Sequence, residues 1–126
     1  MGDRMERYID VMKQALAVME TMEEGLAHIA TQLHEGRVEQ SLPLFEDVMT
    51  AYAVLERSLF PVFTELKSDA EKGELIKLRQ SLEMILTGYE EQEYGRVKEV
   101  IQFTALPKVK QVKSGLEQLF SPFLVS

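Results

Sequence analysis

The chain has 126 residues, no cysteine and no tryptophan, and a net charge of −7. That charge sits almost wholly in its first half: residues 1–60 carry 11 acidic and 5 basic side chains (−6), and residues 61–126 carry 10 and 9 (−1). Absence of cysteine excludes disulfides, thiolate metal sites and cysteine nucleophiles together, and the acidic balance works against phosphate backbones and anionic lipid headgroups, so no nucleic acid and no membrane is expected as partner. Length alone predicts one domain over 1–126.

The first 33 residues place Met5, Tyr8, Met12, Ala15, Met19, Met22, Leu26, Ile29 and Leu33 at alternating three- and four-residue steps. This apolar stripe predicts a helix over 4–34, about 45 Å long at 1.5 Å per residue. Asp3, Arg4, Glu6 and Arg7 stand where a secretory signal needs an apolar run, and Glu6 occupies the position at which a myristoylation signal wants Ser or Thr. No later stretch approaches about 18 apolar residues, so no membrane span is expected and the cytoplasm is the expected location.

Phe45, Val48, Tyr52, Leu55, Leu59, Val62 and Leu66 repeat the spacing and predict a second helix over 37–66. Pro43 and Pro61 predict kinks within it, with Ser41 as a candidate cap just before Pro43. Leu75, Leu78, Leu82, Ile85 and Tyr89 predict a third helix over 71–92. Val97, Ile101, Ala105, Val109, Val112, Leu116, Leu119 and Phe123 predict a fourth over 96–121, where successive four-residue steps lead into Pro107 and a bend. No alternating run of β-formers appears between turn signals, so the fold class is all-α. Short connectors between long helices force antiparallel neighbours, and the predicted architecture is an up-down-up-down four-helix bundle.

Gly36-Arg37-Val38 recurs as Gly95-Arg96-Val97, and Leu59-Phe60-Pro61 is echoed by Leu119-Phe120-Ser121-Pro122. Two duplicated αα-hairpins would leave such a trace, and so would chance at one junction. Both glycines are expected to end a helix in the left-handed region.

The residue types that carry chemistry are sparse. The two histidines, His28 and His34, both fall on the first helix at solvent-facing heptad positions, so a di-metal carboxylate centre lacks its second Glu-x-x-His pair. Glu23-Glu24 and Glu90-Glu91 with Glu93 point in different directions around their helices, which reads as solvated faces rather than a cation site. There is no glycine-rich phosphate loop and no Ser-His-Asp order. No catalytic residue, cofactor site or metal site is assigned, and the chain is expected not to be an enzyme. The remaining catalytic alternative is a small-molecule or metal pocket using the hydroxyls of Tyr8, Tyr52 or Tyr89 on the apolar seams. Arg96, Lys98, Lys108, Lys110 and Lys113 make the fourth helix basic, either to complement the acidic helices or to bind an acidic group.

Methionine supplies four of the first seven seam positions on the first helix, at Met5, Met12, Met19 and Met22. Such flexible, polarizable side chains fill irregular cores and also line surfaces that accept varied helices. The apolar end, Leu119 to Val125, either folds back over the bundle or packs into a second copy or partner. The expected function is a protein-interaction module that receives an amphipathic partner helix, with Met12, Met19, Met22, Leu26, Phe120 and Phe123 as anchors. The alternative is a homodimer in which seams and tails pair between copies.

The segment Leu33-His34-Glu35-Gly36-Arg37-Val38-Glu39-Gln40-Ser41-Leu42, followed by Leu55-Glu56-Arg57-Ser58-Leu59, resembles the helix-Gly-helix pattern of small bacterial flagellar export chaperones. The resemblance spans residues 33–59 and implies a helical protein that shields apolar helices of its clients.

Overall fold

The computed structural model describes residues 2–124. Helix α1 covers Gly2–His34, α2 Val38–Leu66 and α3 Asp69–Glu90. The fourth rod is composite: α4 covers Tyr94–Val100, a π-helical turn follows over Ile101–Ala105, and α5 covers Leu106–Leu124. Helix α1 packs on α2 and α5, and α3 packs on α2, α4 and α5. Sequential helices are therefore neighbours around the bundle, as an antiparallel up-down-up-down four-helix bundle requires. No strand occurs among the described residues.

All three links share one construction. The left-handed residue is Gly36 (φ 76°), Lys67 (φ 55°) or Gln92 (φ 58°), and the next residue caps the following helix through its backbone. At the first link, the N–H of Arg37 donates to the Gln32 carbonyl at 2.8 Å and that of Gly36 to Leu33 at 3.1 Å. The pairs Ser68 to Phe63 and Lys67 to Thr64 repeat this at the second link, and Glu93 to Gly88 and Gln92 to Tyr89 at the third. These are Schellman closures with a new helix starting at once, which folds the chain back on itself within two or three residues. The Gly-Arg-Val match therefore does not mark equivalent positions: Gly36 is left-handed, whereas Gly95 lies inside α4 and its expected role belongs to Gln92.

Helix α2 runs through Pro43 and Pro61. Ser41 is not its cap. The cap position is Arg37, and Ser41 is buried one turn further in. The bend expected near Pro107 takes the form of the π-helical turn just before it, in which the Leu106 N–H reaches back five residues to the Ile101 carbonyl. The buried seam explains why it is there. From Val109 to Phe120 the seam spans 11 residues, which is three turns of ordinary helix, but from Val97 to Val109 it spans 12. A π turn absorbs one extra residue, so Val97, Ile101, Ala105 and Val109 stay in line facing the core. The same widening relieves the clash that the Pro107 ring would make with the preceding turn.

Candidate protein-interaction surface

The six anchors predicted from sequence lie against the bundle interior. Met12, Met19 and Leu26 are 0% exposed and Met22 is 1% exposed, enclosed with residues of α2 and the fourth rod. Phe120 is fully buried and Phe123 is half-buried against the same core. The physical reason is that α5 packs along α1 and closes its seam. The apolar end does not fold back: through Leu124 it continues α5, and Val125 and Ser126 lie outside the described residues.

The other constellations are also absorbed. Lys108 pairs with Glu74 of α3 at 2.8 Å, Lys113 lies 4.0 Å from Glu23 of α1, and Lys98 lies 2.7 Å from Nδ1 of His34. The basic helix is thus engaged with both its neighbours. Of the acidic run at 90–93, Glu93 takes the cap position of α4, where a carboxylate suits the helix N-terminus. Tyr52 donates to the Leu75 carbonyl at 2.8 Å, and Tyr89 lies 2.7 Å from the Ser41 hydroxyl. Burial pushes both phenols above their ordinary value, for Tyr52 with a contribution from nearby Glu56. They are held as neutral structural hydroxyls. Among the described residues no three His, Asp or Glu side chains are grouped to hold a metal ion.

What remains open is apolar surface outside the seams. The largest exposed apolar side chain is Phe103, 76% exposed in the middle of the π turn. Its neighbours Gln102 and Thr104 are also exposed, since the step from Ile101 to Ala105 turns three consecutive residues outward. Phe103 borders a shallow depression of about 450 Å³ with Met84 of α3, 40% exposed, at one side and the nearly buried Val100 also lining it. Arg96, Glu99 and Thr104 complete its wall. A second depression of about 280 Å³ shares Met84 and Arg96 and extends along α3 past Gln80, Glu83 and Thr87. Sequence reasoning passed over Phe103 because it stands off the seam. The available signal was an aromatic framed by consecutive four-residue seam steps.

Two other clefts flank α3. Between α3 and α5, Gly73 and Gly115 leave open space that a methyl group would enter freely, with the buried Val112 and Leu116 at its floor. Between α2 and α3, Met49, Phe60 and Leu86 line a groove crossed by the Arg79–Glu56 ion pair at 2.7 Å. There the second carboxylate oxygen of Glu56 is buried without a protein hydrogen-bond partner.

These features define an all-α, antiparallel four-helix bundle with its methionine seam closed and its largest exposed apolar side chain on the α3–α4 face. The chain belongs to the family described as a domain of unknown function (DUF8042), whose model matches residues 10–115. Comparison with curated proteins and with solved structures gave no match. No helix among the described residues is long and apolar enough to cross a membrane.

Proposed function

We propose that this chain is a non-enzymatic, cytoplasmic protein-interaction module of the adaptor or chaperone-like kind, which receives an amphipathic helix across α3 and α4. The observation that carries the reading is Phe103, an aromatic ring 76% exposed on a π-helical turn beside a depression that Met84 and Val100 line together with Arg96, Glu99 and Thr104. A phenylalanine left in water forgoes the burial that normally places it inside, and π turns recur at functional sites. The partner's apolar side chain enters beside Met84 and over Val100, while Phe103 packs on the partner's own apolar stripe. The methionine seam of α1 serves the core in this reading.

The test is a photo-crosslinking residue placed at Phe103 in the full chain, with the same residue at exposed Ala17 on α1 as control. Defined adducts from position 103 and none from position 17 support the reading. Adducts from neither position, or equally from both, contradict it.

A further inference from the structure

We infer that the cleft between the N-terminal part of α1 and the C-terminal part of α2 binds a phosphate monoester carried on an apolar stem, at a site independent of the α3–α4 face. Arg7, Tyr8 and Val11 of α1 and Arg57, Ser58 and Pro61 of α2 line one depression there, of about 340 Å³. Both helices contribute the same set in the same order: an arginine, a hydroxyl at the next residue, and an apolar group four residues after the arginine. At 3.6 residues per turn these positions span about 100° of a helix, so one side of each helix presents its whole set to the cleft.

The polar side chains of the cleft are unspent. Among the described residues, none of Arg7, Tyr8, Arg57 and Ser58 makes a side-chain hydrogen bond or ion pair. Arg57 is the single cation of α2, against five carboxylates, and Glu56, its neighbour in sequence, is taken by Arg79 across the α2–α3 groove at 2.7 Å. Two guanidinium groups and two hydroxyls offer more donors than the two oxygens of a carboxylate can use. They suit the three terminal oxygens of a phosphate monoester, which arginine also binds in bidentate fashion. Val11 is half-buried and Pro61 exposed, and both give the ligand's stem apolar surface to lie on. The net charge of −7 opposes a long polyanion, which must pass over many carboxylates, far more than a compact dianion seated on two arginines.

Titration of the full chain with phenyl phosphate at low ionic strength, followed by amide chemical shifts in NMR spectra, tests the inference, with circular dichroism of each variant as a folding control. The shift changes should saturate and cluster at residues 7–11 and 57–61. Arg7→Gln and Arg57→Gln, both at exposed positions, should each raise the dissociation constant by on the order of tenfold or more, and Tyr8→Phe and Ser58→Ala by a smaller factor. Lys13→Gln, at an exposed cation further along α1, should leave it unchanged. Should one arginine variant fail to fold, the other carries the same test. Inorganic phosphate, which lacks the stem, and benzoate, which has the stem but only a carboxylate, should both bind more weakly. A phosphotyrosine peptide that binds more tightly than phenyl phosphate assigns the phosphate group to a partner chain, and one that binds no more tightly assigns it to a small molecule. Absence of saturable shifts at these residues, an equal loss from Lys13→Gln, or inorganic phosphate or benzoate binding as tightly as phenyl phosphate overturns the inference.

Discussion

The Tyr89 hydroxyl near the end of α3 donates to the Ser41 hydroxyl near the start of α2, 2.7 Å away, and Ser41 in turn donates to the Val38 carbonyl at 2.6 Å. Both side chains are buried, and the direction of the relay follows from Ser41 having a single proton to give. Phe45 lies against the Tyr89 ring, with centroids 5.4 Å apart, so the relay ties α2 to α3 inside an aromatic contact.

Removal of the two hydroxyls is therefore unequal. Tyr89→Phe leaves Ser41 its bond to Val38 and should destabilise by about 1 kcal/mol. Ser41→Ala strands the tyrosine hydroxyl in the core and should destabilise by about 1–3 kcal/mol. In the double variant the loss should be smaller than the sum, as read by urea unfolding in a double-mutant cycle. Additive losses would show that the hydroxyls do not interact.

The left-handed link residues give a prediction of opposite sign at different links. Lys67→Gly and Gln92→Gly each relieve a side chain held at positive φ and should stabilise by about 0.5–1 kcal/mol, whereas Gly36→Ala should destabilise by about 1 kcal/mol. Thermal midpoints moving the other way would contradict the shared link geometry.

Glycines inside helices separate by their surroundings. A methyl group on Gly88 would lie 2.6 Å from Cγ2 of buried Val97, whose branched side chain has essentially one rotamer in a helix. Gly88→Ala should destabilise by about 1–3 kcal/mol, and adding Val97→Ala should recover part of the methyl clash, measurable as non-additivity. Gly73→Ala and Gly115→Ala meet nothing within 4 Å and should each stabilise by about 0.5–1 kcal/mol.

The two ends of the pH range act through different groups. Lys108, hydrogen-bonded to Glu74, holds that carboxyl below its ordinary value, so its contribution is present above about pH 4.3 and is lost as the pH falls through the lowered value. Glu74→Gln should flatten the acid limb of the stability curve. Burial raises Tyr52 and Tyr89, so the unfolded chain ionises first and stability falls as the pH climbs past about 10. Tyr52→Phe should make that alkaline decline shallower, and an unchanged slope would place the ionisation elsewhere.

The sequence made the bundle readable because burial on helices leaves a three-four stripe. Met12 to Ile29 and Leu75 to Tyr89 form such stripes, and their residues are buried. It did not disclose which stripe stays open, since that depends on how the fourth rod lies. The steps from Val97 to Val109 suggested a bend at Pro107; a π turn there takes up one extra residue, and α5 beyond it packs on α1 over the methionine seam. Gly95 misled for a related reason. The αL position requires a backbone angle that Gln92 also adopts, so a glycine nearby does not locate it. Phe103 was invisible to a reading by seams because its exposure follows from the widened turn that carries it.

The apolar surface of this chain divides between a closed methionine seam and an open face at Phe103. The most direct measurement compares Met19→Ala and Phe103→Ser for stability by chemical unfolding and for adducts from a photo-crosslinker at exposed Thr104, present in each variant. Met19→Ala should destabilise by about 2–5 kcal/mol while the chain that remains folded still forms adducts. Phe103→Ser should leave stability within about 0.5 kcal/mol and abolish the adducts. Loss of adducts from Met19→Ala in the folded chain, or a Phe103→Ser variant that is destabilised as a core variant would be, contradicts the account.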